Sequence, residues 1–139
     1  MKKTVKFAII GCGRISKKHI ELFIKKRITK GILVGICDTN IDKAKKYSLL
    51  YKIPFFKKAD QLIINTNPDV IVILTESGNH AKHVIKLSKF KKHIIVEKPM
   101  ALKVKDAQAM ISSCKKNKIK LFIVKQNRFN LPVIQLKNA

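Results

Sequence analysis

Two glycines directly after an apolar run are the first residues whose types and spacing could do chemistry. Residues 5–16 read VKFAIIGCGRIS, and a helical pattern starts near Ile15. Gly11 permits a sharp turn from strand to helix. Gly13 lets the backbone approach a pyrophosphate, whose charge the N–H groups and dipole at the helix start would hold. Ser16 replaces the third glycine of the usual G-x-G-x-x-G pattern and is small enough to fit. The segment predicts the opening of a dinucleotide-binding βαβ unit.

An acidic residue follows the second apolar run. Asp38 comes directly after the run at residues 32–37. Its distance along the chain from the glycines is roughly the one that dinucleotide-binding folds use. A carboxylate there would accept hydrogen bonds from both hydroxyls of an adenine ribose and repel a 2′-phosphate, which predicts NAD over NADP. The alternative is an aspartate that only caps a helix or closes a turn.

Polar side chains also follow the apolar run at residues 70–74. Thr75 and Ser77 could hydrogen-bond the edge of a cofactor, and Asn79 could instead simply cap the next helix. His80 stands at the start of that helix and could act as a neutral hydrogen-bond donor. The alternative for His80 is a packed structural histidine.

Charged residues follow the fifth and sixth predicted strands. On an extended chain Glu97 and Lys98 point to opposite sides, and Pro99 holds Lys98 extended. A lysine fixed there, near a nicotinamide, could polarise or deprotonate an alcohol if desolvation favours its neutral amine; the alternative is a surface charge. Asn127 and Arg128 could reach a substrate carboxylate or phosphate, or could form a loop at the end of a domain.

Apolar runs that alternate with helical patterns would position these residues. The predicted strands are residues 7–10, 32–37, 54–56, 70–74, 94–96 and 120–124. Helices are predicted from about residue 15, after an N-cap at Asn40, over residues 60–64, 80–90 and 104–116, and from Pro132. The candidate core residues of the first two helices are Ile15, Ile20, Phe23, Ile24, Ala44, Tyr47, Leu50 and Tyr51.

This alternation predicts an α/β fold: a Rossmann-type, doubly wound parallel sheet of about six strands with helices on both faces. Ligands of such sheets bind beyond the carboxyl ends of the strands. The polar residues described above all lie just after predicted strands.

Composition limits the remaining classes of function. The net charge of +23 is typical of a nucleic-acid binder, but only three arginines are present and no aromatic residues are interleaved with the lysines. We therefore expect no specific nucleic-acid partner. Three cysteines without a C-x-x-C pair argue against a zinc site or disulfide framework and favour a cytoplasmic protein. No apolar run approaches the roughly 18 residues of a membrane span, so no membrane partner is expected.

Five motifs together resemble a known family. GCGRISKKH, ICD, TESGNH, KHIIVEKPMA and KQNRFN are similar to motifs of the glucose–fructose oxidoreductase / inositol dehydrogenase / MocA (Gfo/Idh/MocA) family, in which EKP is the specific one. The resemblance covers essentially the whole chain, as that family's N-terminal cofactor domain. The ending KQNRFNLPV further resembles the branch that oxidises the 3-hydroxyl of UDP-N-acetylglucosaminuronic acid. The family's usual T-P-N after the fourth strand is T-E-S here.

The resemblance implies a role for each motif. It implies that NAD is bound by Gly11, Cys12, Gly13, Arg14, Ile15, Asp38, Thr75, Ser77, His80, Glu97 and Lys98. Asp38 would take the adenine ribose, Glu97 the nicotinamide ribose, and Lys98 would be the catalytic residue between nicotinamide and substrate. Lys98, Asn127 and Arg128 would bind the substrate, and no metal is implied.

The resemblance also implies a domain organisation and a function. Residues 1–125 would form the dinucleotide-binding Rossmann domain, and residues 126–139 the start of a linker and helix to a C-terminal α/β domain absent from this truncated chain. The expected function is NAD-dependent oxidation of a sugar or nucleotide-sugar hydroxyl, and a full-length form is expected to be a homo-oligomer. The alternatives are a truncated, non-catalytic NAD-binding module and a basic nucleic-acid-binding protein.

Overall fold

Six parallel strands form one sheet in the computed structural model, which describes residues 4–138. The strands are β1 (Val5–Ile10), β2 (Gly31–Cys37), β3 (Phe55–Phe56), β4 (Val70–Ile73), β5 (His93–Val96) and β6 (Leu121–Ile123). Their order across the sheet is β3-β2-β1-β4-β5-β6, and every neighbouring pair is parallel. The predicted doubly wound Rossmann-type sheet is confirmed.

Helices alternate with the strands along the chain. They are α1 (Ser16–Ile24), α2 (Ile41–Tyr51), α3 (Ala59–Thr66), α4 (His80–Ser88), α5 (Val104–Lys116) and α6 (Leu131–Asn138), and two 3-10 turns cover Ser77–Asn79 and Gln126–Phe129. Asn40 caps α2 as predicted, because its side-chain oxygen accepts the N–H groups of Asp42 and Lys43. None of the helices described is long and apolar enough to cross a bilayer.

The strand residues divide between two cores because successive side chains point to opposite faces of a sheet. On one face Ala8 and Ile10 pack with buried residues of α3, α4 and α5, and on the other Ile9 packs with Ile20 of α1 and Ala44 of α2. All four residues of β4 are buried. Both cores therefore surround the central strands, and the two sets of helices shield the sheet from solvent.

The core prediction for the first two helices was partly wrong. Ala44 is buried and the two tyrosines of α2 are half-buried, but Leu50 is 61% exposed. At 100° per residue Leu50 lies about 120° around the helix from Ala44, away from the sheet. Ile15 and Ile24, at the two ends of α1, are also exposed, whereas Ile20 is fully buried.

Several turns place a lysine in the left-handed region of backbone space. Among the described residues the non-glycine positive φ angles occur at Asn67 and at five lysines, namely Lys26, Lys30, Lys52, Lys91 and Lys118. Lys52 and Asn67 end α2 and α3 in this conformation, and the N–H of each bonds back to a helix carbonyl. Glycine is the residue most often found at such helix ends.

The last helix stands apart from the two cores. α6 contacts the 3-10 turn before it, and its apolar side chains are largely exposed. The assignment of residues 126–139 to a linker stays a prediction, and Ala139 lies outside the described residues.

Candidate cofactor and active site

The strand order reverses between β1 and β4, and this switch point is where doubly wound sheets bind their ligands. Gly11 follows β1 there with a φ of +101°. A Cβ on Gly11 would lie 2.8 Å from the carbonyl carbon and oxygen of Leu74 and from the N of Thr75. The loops after β1 and β4 therefore pack against each other at a position that only glycine can occupy.

The space around Gly13 is open, whereas backbone atoms fill the space around Gly11. A Cβ built on Gly13 would meet no atom within 4 Å, and its φ is not in the left-handed region. The fold itself therefore does not require glycine at this position. No side chain caps the start of α1, and the Ser16 hydroxyl donates to the carbonyl of Gly13. Ser16 is fully buried, so its side chain fits at the position of the third glycine.

Asp38 is fixed by two hydrogen bonds. Its Oδ2 accepts the backbone N–H of Cys12 over 2.7 Å, and its Oδ1 accepts the N–H of Asn40 over 2.8 Å. Asp38 thus closes the turn before α2, but it also connects that turn to the glycine loop. The alternative, an aspartate that only closes a turn, explains the bond of Oδ1 to Asn40 but not the bond of Oδ2 to Cys12.

Cys12 bonds to Asp38 through its backbone N–H, while its side chain is buried at 3% exposure. Burial raises the pKa of the Cys12 thiol to about 12, and the neighbouring Asp38 charge adds to the effect. The thiol is therefore neutral at physiological pH. Cys37 and Cys114 are also buried free cysteines.

His80 connects the loops after β4 and β5. Its Nε2 lies 2.9 Å from the carbonyl oxygen of Thr75, its Nδ1 lies 2.8 Å from that of Pro99, and the residue is 1% exposed. Since both ring nitrogens face main-chain carbonyls, this geometry corresponds to the packed histidine of the two alternatives. Asn79 forms no side-chain cap on α4.

Thr75 and Ser77 have different surroundings. The Thr75 hydroxyl lies 2.9 Å from Nδ1 of His83, which is one turn into α4. Burial lowers the pKa of His83, and the charges of neighbouring Lys82, His80 and Lys86 add to the effect. Ser77 is half-buried in the 3-10 turn.

Glu97 and Lys98 separate as predicted at the end of β5. Glu97 is 7% exposed, and its Oε2 accepts the backbone N–H of Lys98 over 3.0 Å. The side chain of Lys98 is exposed, and within residues 4–138 no ion pair joins it to an acid. The Lys98–Pro99 peptide bond is cis.

Two histidines of the site were missed by sequence reasoning. His19 Nε2 lies 2.9 Å from Glu97 Oε1, and His83 contacts Thr75. His19 stands in the GCGRISKKH motif, but its partner is 78 residues away in the chain. His83 lies three residues after His80 and therefore on the same side of α4. This spacing could have identified His83 from the sequence.

Asn127 and Arg128 are not brought into contact with the rest of the site. Both lie in the exposed 3-10 turn after β6, where Asn127 Oδ1 accepts a hydrogen bond from Asn130. Within residues 4–138 no group of three or more His, Cys, Asp or Glu side chains is arranged to hold a metal ion.

The open space and the polar groups of this edge fit a dinucleotide. Gly13 leaves open space beside the uncapped start of α1, as a bound pyrophosphate requires. Asp38 presents an anchored carboxylate beyond β2, where an adenine ribose would lie in a dinucleotide-binding fold. The loops after β4 and β5 lie on the other side of the switch point, where the second mononucleotide half would be held.

Comparisons with known proteins agree with this fit. The model of the GFO_IDH_MocA oxidoreductase family, described as an NAD-binding Rossmann fold, matches residues 5–125. Myo-inositol 2-dehydrogenase from Thermotoga maritima is 31% identical over 136 residues, which are 97% of this chain and 40% of that protein.

Solved structures are similar over the same length. The WlbA dehydrogenase from Bordetella pertussis, in complex with NADH and UDP-GlcNAcA, matches with a TM-score of 0.92 and 34% identity over 99% of this chain and 42% of its own. The Chromobacterium violaceum WlbA dehydrogenase, in complex with the same two ligands, has a TM-score of 0.93 and 30% identity over 100% of this chain and 40% of its own. The chain thus spans about 40% of the length of these relatives.

Proposed function

Since the chain belongs to the Gfo/Idh/MocA oxidoreductase family and matches it as an NAD-binding Rossmann fold, we propose that it is the cofactor-binding half of a sugar or nucleotide-sugar dehydrogenase. The observation that carries the proposal is the open position beside Gly13, next to a helix start that no side chain caps. Nothing in the fold explains a glycine there, whereas a pyrophosphate held on the N–H groups of α1 does.

The cofactor would lie along the carboxyl edge of the sheet. Gly11–Ile15 would hold the pyrophosphate, with Arg14 exposed beside it, and Asp38 would hold the adenine ribose. The Asp38 carboxylate repels a 2′-phosphate, which supports NAD over NADP. On the nicotinamide side we assign Thr75, Ser77 and Glu97 to the cofactor surface, and His80 to the loop beneath it.

Lys98 is the proposed catalytic residue. A bound nicotinamide would supply the hydride acceptor for the carbon that bears the substrate hydroxyl. Lys98 would hold the hydroxyl and take its proton, since its side chain projects from the edge without an acidic partner among residues 4–138. Its amine is exposed, so bound cofactor and substrate would have to cover it during the proton transfer.

The proposed substrate is a nucleotide sugar with an acidic group, as in the WlbA complexes with UDP-GlcNAcA. The ending KQNRFNLPV supports this branch, and Asn127 and Arg128 would meet the substrate's anionic groups. The chain's net charge of +23 would also attract a ligand with several negative charges.

The same proposal includes a cytoplasmic location, where the buried thiols would stay reduced. It also includes a homo-oligomer for a longer form of the protein and no specific nucleic-acid partner. The lysine-rich surface, with only three arginines in the sequence, supports the last point.

The test of cofactor binding is a titration of the chain with NADH and NADPH, followed by nicotinamide fluorescence in about 0.3 M salt to screen non-specific attraction. We expect saturable binding that is tighter for NADH. Equal, non-saturable signals for both nucleotides, from a chain whose circular dichroism shows folded helices, would refute the proposal.

The test of catalysis measures the reduction of NAD with UDP-sugar acids and inositols as substrates. It uses a longer form of the protein that shows turnover. Lys98→Ala should lower turnover about 10²- to 10⁴-fold and change NADH affinity far less. Lys103→Ala is the matched control, since Lys103 is an exposed lysine that precedes α5. Unchanged turnover in Lys98→Ala would end the catalytic assignment.

A further inference from the structure

A histidine of α1 is bonded to the acid at the end of β5. His19 Nε2 lies 2.9 Å from Glu97 Oε1, and the two side chains are only 19% and 10% exposed. β5 is two strands from β1, a separation of about 10 Å, with β4 between them. The contact therefore crosses the switch point and connects the helix that follows the glycine loop to the opposite half of the sheet.

The direction of this hydrogen bond follows from chemistry. With Glu97 ionised, its carboxylate can only accept hydrogen bonds, and Nε2 of His19 is then the donor. The other carboxylate oxygen, Oε2, accepts the backbone N–H of Lys98. Both oxygens of Glu97 are thus engaged, and the plane of the carboxylate is fixed relative to the backbone that carries Lys98.

The position of the pair suggests which part of a dinucleotide it serves. Asp38 lies beyond β2 and Glu97 beyond β5, on opposite sides of β1 and β4. A dinucleotide bound across the switch point places its two mononucleotide halves on these two sides. If Asp38 takes the adenosine half, Glu97 faces the nicotinamide half.

We propose that His19 is a positioning residue that orients Glu97 and the Lys98 backbone for the nicotinamide ribose. This inference rests on the proposed function of cofactor binding. His19 lies one helical turn after the start of α1, so the helix that holds the pyrophosphate also sets the geometry of the nicotinamide end. The acid and the lysine at the end of β5 are thereby placed before the nicotinamide half arrives.

A purely structural role for the His19–Glu97 hydrogen bond predicts a different result. If His19 only stabilised the fold, its loss would weaken every ligand of the domain to a similar extent. If His19 positions Glu97, its loss should weaken ligands that contain the nicotinamide ribose and spare those that end at the pyrophosphate. ADP is the suitable probe, because it contains the adenosine and two phosphates and lacks the nicotinamide ribose.

The experiment is calorimetric titration of the whole chain and its variants with NADH and, separately, with ADP. We expect His19→Ala to weaken NADH binding about tenfold, the usual effect of losing one charge-assisted hydrogen bond, and to change ADP binding less than about twofold. His19→Gln should recover most of the NADH affinity, since its amide N–H can donate to Glu97. In a Glu97→Gln background, His19→Ala should add little further loss.

His93→Ala is the matched control, because His93 is exposed at the start of β5, at the opposite edge of the sheet. It should bind both ligands as the unchanged chain does. Equal weakening of NADH and ADP by His19→Ala, or unchanged binding of both, would overturn the role of His19 and leave the proposed function standing. If the unchanged chain binds neither ligand, the proposed function fails and the role of His19 fails with it.

Discussion

The backbone N–H of Cys12 and the Oδ2 of Asp38 are joined by a 2.7 Å hydrogen bond, so the glycine loop and the acid beyond β2 form one unit. The second carboxylate oxygen is held by the N–H of Asn40. Two backbone donors therefore fix the orientation of Asp38 without using a side chain. A ribose that meets this carboxylate does not have to order it first, which lowers the entropic cost of binding.

Replacing Asp38 should change the choice of cofactor. Asp38→Asn keeps an oxygen that can accept the N–H of Cys12 but removes the charge that repels a 2′-phosphate. The ratio of NADPH to NADH dissociation constants should fall about tenfold, measured by nicotinamide fluorescence. Asp42→Asn, at an exposed acid in the first turn of α2, should leave the ratio unchanged. An equal change in both variants would mean that only net charge matters.

The two loop glycines should separate stability from binding. Gly11→Ala places a Cβ 2.8 Å from the Leu74 backbone at a φ of +101°, so the free energy of unfolding should drop by about 3 kcal/mol or more. Gly13→Ala meets no neighbour, so its stability should change by less than about 1 kcal/mol while NADH affinity falls about tenfold. Urea unfolding and NADH titration of both variants test this. Unimpaired NADH binding by Gly13→Ala would contradict the assignment of that space to the pyrophosphate.

Removing His80 should destabilise the fold. In His80→Leu the carbonyls of Thr75 and Pro99 lose the ring nitrogens that face them in a buried place, which should cost about 2–4 kcal/mol in urea unfolding. His93→Leu, at an exposed histidine, should cost less than about 1 kcal/mol. Similar losses in the two variants would show that the loops after β4 and β5 do not depend on His80.

The buried thiol of Cys12 should make stability fall at alkaline pH. Burial raises its pKa from 9.0 to about 12. Below pH 9 the thiol is protonated in both states, and between pH 9 and 12 only the unfolded chain loses the proton, so the free energy of unfolding decreases as pH rises. Between pH 8 and 10, Cys12→Ala should lose about 1 kcal/mol less stability than the unchanged chain.

Urea unfolding at the two pH values measures this slope. Ser112→Ala, an exposed change on α5, should keep the slope of the unchanged chain. A Cys12→Ala slope equal to that of the unchanged chain would show that the thiol is already able to ionise in the folded protein.

Local patterns predicted the elements of this fold well because the strands are apolar runs and the helices carry their own periodicity. The loop positions of Asp38, Thr75 and Glu97 followed from the rule that such residues come directly after strands. The His19–Glu97 contact did not follow, since it joins residues 78 positions apart and depends on the strand order. Leu50 was misassigned because a surface helix can carry a leucine outside its buried face, which composition alone does not reveal.

The five lysines with positive φ offer a way to raise the stability of this protein. Left-handed backbone costs a side-chain-bearing residue about 1 kcal/mol relative to glycine. A chain with glycine at Lys52, and at other exposed left-handed lysines, would lose positive charge and backbone strain together. The lysine richness of the chain thus extends to its turns, where it leaves conformational strain that protein engineering can remove without touching the cofactor edge.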